Sequence, residues 1–239
     1  MGSGNVTLTH TVEIEIYSDV VCPWCWIGTR KLLAALDEFD GDVSLTWRAY
    51  QLDPSATSEG VPLADWLGRR FGGRDQAMRM FQQVTGVATQ VGLDMRFDQA
   101  VSANTRDAHK LIWLAGEHGV QHELVESLYA AHFTEGLDIG SGDVLVSRAV
   151  AVGLPESAVR EALLSPTAEA AVSADLANAR ELGITGVPTF IFAGKYSVTG
   201  AQDAATLRQV LEEVRRREPT QPISLVTAGA GEVCTDETC

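Results

Sequence analysis

"YSDVVCPWCWIG", residues 17–28, decides how the rest of the chain is read. It sets Cys22 and Cys25 two residues apart behind an apolar run and spends half of the chain's four cysteines there. Taken alone, the pair is open to three readings: a redox centre, half of a zinc site, or two core residues. The flanks narrow the choice. In "TVEIEIY" (11–17), Val12, Ile14 and Ile16 alternate with Glu13 and Glu15, the period of a strand. Pro23 suits a first helical turn, where its missing N–H costs nothing. "WCWIGTRKLLAALDEF" then carries Trp26, Leu32, Leu33, Leu36 and Phe39 at helical spacing. Cys22 is therefore expected at a strand-to-helix junction, on the helix N-terminus.

"DVSLTWRAYQL" (42–52) alternates again through Val43, Leu45, Trp47 and Ala49, which predicts a βαβ unit with parallel strands. From about Pro62 to Leu182 the chain reads almost wholly as helices, punctuated by Gly, Pro, Asp and Asn. After "GITGVP" the strand signal returns in "TFIFA", with "GK" as a hairpin turn and "YSVTG" as the returning strand. "DAATLRQVLEEVRRRE" closes the folded part as an amphipathic helix with its bases toward the C-terminus. The order βαβ, helical block, ββα is an α/β, thioredoxin-like topology with a large all-helical insertion. Residues 11–58 and 183–218 form the discontinuous thioredoxin-like domain, 59–182 the helical insertion with the crossover helix, and 219–239 a tail.

A chain of 239 residues with 45% hydrophobic and 21% charged residues supports a sizeable core. A net charge of −14 argues against nucleic acid or an anionic membrane as partner. No apolar run approaches the roughly 20 residues of a membrane span. The first residues show no basic n-region and no apolar h-region. A cytoplasmic location is expected, where close cysteine pairs are redox-active or metal-binding more often than structural.

A dithiol at a helix N-terminus can cycle to a disulfide, because free N–H groups and the helix dipole favour a thiolate. Cys22, nearer the terminus, is expected to be the more exposed and to attack; Cys25, one turn in, resolves the mixed disulfide. Pro23 and Trp24 set the redox poise. No cation stands between the cysteines, so the couple is expected to be less oxidising than the strongest periplasmic oxidants, at about −120 mV. In "GVPTF" (186–190), the topology puts Val187-Pro188 opposite the cysteines. Pro188 is expected to be cis, with the Val187 backbone free to pair with an extended peptide.

With these residues in hand, the chain resembles the DsbA-like thioredoxin-fold oxidoreductases, and most closely their cytoplasmic FrnE-type branch. "YSDVVCPWCWIG", "NTRDAHKLIWLA", "ELGITGVPTFIF" and "VTGAQ" carry the likeness over about residues 12–217. The resemblance implies a thiol–disulfide oxidoreductase or disulfide isomerase whose helical domain caps a substrate groove. It implies catalytic roles for Cys22 and Cys25 and a peptide-positioning role for Pro188. No bound cofactor is implied; electrons pass to or from another thiol system such as glutathione or a thioredoxin-like protein. Protein or peptide thiols and disulfides are the expected partners, and the oligomeric state, a dimer included, is left open.

Other residues are open to two readings. Cys234 and Cys239 in "CTDETC" match a tail pair that a few such proteins carry. Nearby anions disfavour their thiolates. They form an accessory redox pair or have no role. A four-cysteine zinc site is a weaker alternative, and no metal is expected. Glu15 or Asp19 is a candidate proton acceptor for Cys25; the plainer reading, which the sequence favours, has Asp19 capping the turn and Glu13 and Glu15 in solvent. Asn104 reads as a helix N-cap and His109 as a core histidine. Trp24 is expected to be exposed and to contact substrate, Trp26 to be buried. The rival functions are a glutathione-dependent transferase or isomerase for small molecules, and a non-catalytic interaction module. Kappa-class transferases and chromene-carboxylate isomerases resemble this architecture, but they usually carry Ser near the first active-site position and lack the paired cysteines.

Overall fold

The computed structural model describes residues 11–218. Cys234 and Cys239 lie outside the described residues. Strand β1 (Val12–Ser18) leads into helix α1 (Pro23–Asp37), and β2 (Val43–Ala49) returns beside β1. Seven helices follow: α2 (Leu63–Gly68), α3 (Arg74–Gln90), α4 (Arg106–Glu117), α5 (Gln121–Tyr129), α6 (Gly142–Ala151), α7 (Glu156–Leu164) and α8 (Pro166–Glu181). A hairpin of β3 (Thr189–Phe192) and β4 (Tyr196–Thr199) precedes α9 (Ala204–Arg217).

The sheet runs β2-β1-β3-β4. β1 pairs parallel with β2, Ile14 opposite Leu45, and antiparallel with β3, Ile16 opposite Phe190. This is the expected α/β arrangement, with β1 internal. Phe190 and Phe192 are fully buried, as a strand covered on both faces requires. The outer edge of β2 is closed by side chains. Gln121 accepts from the Trp47 N–H at 2.9 Å and donates to its carbonyl at 3.2 Å, and Asp175 accepts from the Ala49 N–H at 3.0 Å. Those contacts occupy ladder groups that an open edge would offer to another chain.

The main apolar cluster runs from Val12 through Phe81, Leu128 and Phe133 to Val214, so the sheet and the helical block share it; a small second cluster gathers Tyr17, Ala179 and Ile191. Trp26 is the hinge pin of that union. Its ring stacks on Tyr129 at 5.7 Å and on Phe133 at 6.1 Å, and its Nε1–H donates to Glu126 at 3.0 Å. Each aromatic pair is worth about 0.5–1.5 kcal/mol beyond area burial.

Two local details differ from the sequence expectation. The hairpin turns on Ala193–Gly194, one residue earlier than "GK", with φ of 50° and 64°. That left-handed pair matches the twist of the flanking strands. The cap position of α4 is Thr105, not Asn104. The Asn104 side chain does accept from the Arg106 N–H at 3.0 Å, but it also donates to the carbonyls of Pro54 and Ala56, so it ties a loop to the helix start.

Candidate active site

Residues 19–22 make a tight turn in which the Cys22 N–H donates to the Asp19 carbonyl at 2.9 Å. Cys22 then occupies the N-cap of α1 in extended geometry and Pro23 follows in the first turn. Cys22 thus sits at the helix N-terminus, where its side chain makes no capping hydrogen bond. Cys25 lies one turn inside, and both cysteines are free thiols.

Cys22 is the more exposed of the two thiols, as its helix-terminal position predicts, yet both are buried. It is 4% exposed, against 0% for Cys25. The cover is the loop before β3, where the Val187–Pro188 peptide bond is cis. The Cys22 thiol donates to the Val187 carbonyl at 3.7 Å. The loop is held in turn: Gly200 N–H donates to the Pro188 carbonyl at 2.7 Å, and Thr189 Oγ1 to the Gly186 carbonyl at 2.8 Å. Gly28 makes room for it. A Cβ there would stand 2.8 Å from Pro188 Cγ and 3.4 Å from Phe190 Cζ. Trp24 is the exposed member of the motif, at 41%.

Beneath the dithiol lies a buried polar cluster. Burial first, then the hydrogen bond and the charge of Cys22, push the Cys25 thiol well above its ordinary value. The Asp19 backbone hydrogen-bonds the same sulfur and eases that shift, while the carboxylate charge adds to it. Asp19 is fully buried; Oδ2 accepts from the Leu52 N–H at 2.8 Å, and Oδ1 has no hydrogen-bond partner among the described residues. His109 Nε2 lies 3.4 Å from that Oδ1.

Tyr129 and His132 complete the underside. After Tyr129 the helix widens into a π-helical turn, Ala130–Thr134, in which the Glu135 N–H reaches back to the Ala130 carbonyl at 3.0 Å. Burial and the charges of Cys25 and Cys22 raise the Tyr129 hydroxyl well above its usual range. Burial lowers His132 to about 4, against a smaller opposing pull from Asp19. Tyr129 Oη and both ring nitrogens of His132 lack partners among the described residues; Ser18 lies beside the hydroxyl but outside hydrogen-bond geometry.

The structure thus brings together Cys22, Cys25, Pro23, Trp24, Val187, Pro188 and Asp19. It leaves Glu15 apart, paired with Arg48 at 2.7 Å on the β2 side, where Arg48 also reaches Asp175 at 3.6 Å. Glu13 is exposed. Sequence reading missed Gly28, Tyr129 and His132 and set His109 aside. Gly28 carried a signal, a glycine inside a helical pattern; nothing in "YAAHFTEG" marks a π-helical turn. Among the described residues no group of three or more His, Cys, Asp or Glu is placed to hold a metal ion.

The DSBA-like thioredoxin domain matches residues 13–212, and the chain belongs to this family of thiol–disulfide oxidoreductases. A crystal structure of a probable DsbA oxidoreductase from Streptomyces coelicolor is 32% identical, with a TM-score of 0.81 over 95% of this chain and 97% of that one. The cytosolic disulfide reductase DsbM from Pseudomonas aeruginosa shares the fold at 19% identity, TM-score 0.62, over 86% of this chain and 99% of its own. A 2-hydroxychromene-2-carboxylate isomerase does so at 14% identity, TM-score 0.63, over 86% and 97%. These last two likenesses show the fold alone.

Proposed function

We propose that this oxidoreductase exchanges disulfides with protein or peptide substrates through Cys22 and Cys25. The observation that carries the reading is the free dithiol at the start of α1 with its outer sulfur on the Val187 carbonyl, one residue before cis Pro188. The Cys22 sulfur attacks a substrate disulfide; a Cys22–substrate bond forms, the substrate S–S bond breaks, and the leaving sulfur takes up the Cys22 proton. Cys25 gives its proton to Asp19 and attacks Cys22; the internal disulfide forms and the second substrate thiolate leaves. The substrate gains two electrons and the dithiol loses two. Reduced glutathione or a thioredoxin-like dithiol restores the enzyme.

In this reading Cys22 is sheltered until substrate displaces its contact with Val187, whose backbone then pairs with the bound peptide. Trp24 gives an apolar landing surface and, with Pro23, tunes the poise. The FrnE-type branch, cytoplasmic residence, the division of the chain at 59–182, and isomerase activity belong to the same proposal. So does an accessory role for Cys234 and Cys239. Among the described residues no helix is long and apolar enough to cross a membrane.

Reduction of a disulfide-bridged peptide, lost on Cys22→Ser, tests the reading. Glutathione-dependent turnover of a small molecule that survived Cys25→Ser would replace it with the isomerase-type alternative. Loss of the accessory role would appear as unchanged kinetics after replacing both tail cysteines with Ser.

A further inference from the structure

The buried carboxylate below Cys25 needs a route to water. Asp19 is fully buried, so a proton it takes or gives cannot be exchanged with solvent directly. Its partnered oxygen is fixed by the Leu52 N–H. Its other oxygen lies 3.4 Å from Nε2 of His109 on α4, and its charge also reaches the buried rings of His132 and Tyr129. His109 is itself 2% exposed, yet it is among the residues that line a cavity of about 540 Å³ between β2, α4, α5 and Asp175 of α8. That cavity lies along β2, where its lining includes Trp47 and His122, and is distinct from the Val187–Pro188 side on which Cys22 is covered.

We propose that His109 is the proton outlet of the site, passing protons between Asp19 and this cavity each time Cys25 changes between thiol and disulfide. This rests on the thiol–disulfide reading above. The Tyr50 carbonyl, 3.0 Å from His109 Nε2, can only accept, so at rest that nitrogen carries the hydrogen. To deliver that hydrogen the N–H swings from the carbonyl to Asp19 Oδ1, 3.4 Å from the same nitrogen. When the Cys22–Cys25 disulfide is opened by an external thiol, Cys25 leaves as a thiolate. Asp19 in its acid form gives it a proton, Nε2–H re-protonates Asp19, and Nδ1 takes a proton from the cavity. The ring is left with its hydrogen on Nδ1 and a lone pair on Nε2. In the opposite half-cycle Asp19 first passes its proton to Nε2 as Nδ1 releases one to the cavity, and the emptied carboxylate then takes the proton of Cys25. The resting tautomer returns, and protons balance over one turnover. An imidazole, with two separate nitrogens that each exchange a proton, is suited to this relay. His109 acts through Asp19 and does not touch the sulfurs, which makes it a positioning residue.

The charged and titratable groups around the ring are Asp19 after β1, Arg48 on β2, Glu117 on α4, His122 and Glu123 on α5, and Asp175 on α8. A pH profile of one variant alone would mix them, so the experiment compares variants. Full-length wild type, His109→Gln and His109→Phe are reduced and mixed with a disulfide-bridged peptide from pH 5.5 to 9. Acid quenching and mass spectrometry follow formation and resolution of the Cys22 mixed disulfide separately. Gln keeps an N–H for the Tyr50 carbonyl but cannot relay. Expected is unchanged formation in both variants, with resolution slowed about tenfold or more at pH 7. The variants' resolution rate then climbs steeply with pH toward the wild-type value, because hydroxide takes over. Wild-type resolution by His109→Gln across the range would overturn the relay, even if His109→Phe were impaired or failed to fold. Absence of any mixed disulfide in wild type would instead remove the thiol–disulfide reading itself.

Discussion

The Cys22 thiol rests 3.7 Å from the carbonyl oxygen of Val187, a residue 165 positions further along the chain. Neither segment makes a site without the other. The helix start supplies the sulfur, and the loop before β3 supplies its cover. The long helical block between them serves the site from below, through Tyr129, His132 and His109.

Gly28 should be the most sensitive small residue of the motif. A methyl group at this position meets Pro188 at 2.8 Å, with Phe190 and the Ala201 backbone behind it. Gly28→Ala is expected to cost about 1–3 kcal/mol by overpacking and to slow attack by Cys22 through retraction of the Val187–Pro188 loop. Thermal unfolding together with the rate of mixed-disulfide formation checks this. Wild-type values for both would mean that the loop tolerates displacement.

The poise of the couple should be mild. Burial holds Cys25 as the thiol, and the motif offers no cation between the cysteines. Equilibration with glutathione buffers is expected to give a potential more negative than about −120 mV, the value of the strongest oxidants of this fold. A potential at that extreme would contradict the account.

His132 should make the protein sensitive to acid. Its folded value, about 4, lies below the ordinary 6.5, so the unfolded chain binds the proton first as pH falls. Stability from this group is full above about pH 6.5 and is lost progressively down to about pH 4, by roughly 3 kcal/mol. His132→Leu, similar in volume, removes the titration and two unpartnered nitrogens. Urea unfolding at pH 7 and pH 4.5 should show a smaller loss in the variant. Equal losses in both proteins would show that another group controls acid unfolding.

How far the sequence reached can be told residue by residue. Period-two alternation in "TVEIEIY" and Pro23 after Cys22 located the junction, because strand and helix differ in side-chain period and proline marks a first turn. "GVP" located the opposing loop through topology. Cys22 is the more exposed of the two cysteines, as expected, but the cover that buries it comes from 165 residues away and has no local signal. The same holds for the polar underside. His109 and His132 sit in ordinary amphipathic stretches, and only packing sets one against Asp19 and leaves both ring nitrogens of the other without a partner among the described residues. Asp19 and Glu15, equal candidates by spacing, part company because one turns under the dithiol and the other finds Arg48.

Trapping of the mixed disulfide tests the central claim most directly. Cys22→Ser, Cys25→Ser and wild type are each mixed with a disulfide-bridged peptide, quenched in acid and mapped by mass spectrometry. The account predicts that Cys25→Ser accumulates a peptide adduct on Cys22, that Cys22→Ser forms none and loses turnover, and that wild type turns over with little adduct. An adduct on Cys25 in Cys22→Ser, or undiminished turnover without Cys22, would contradict it.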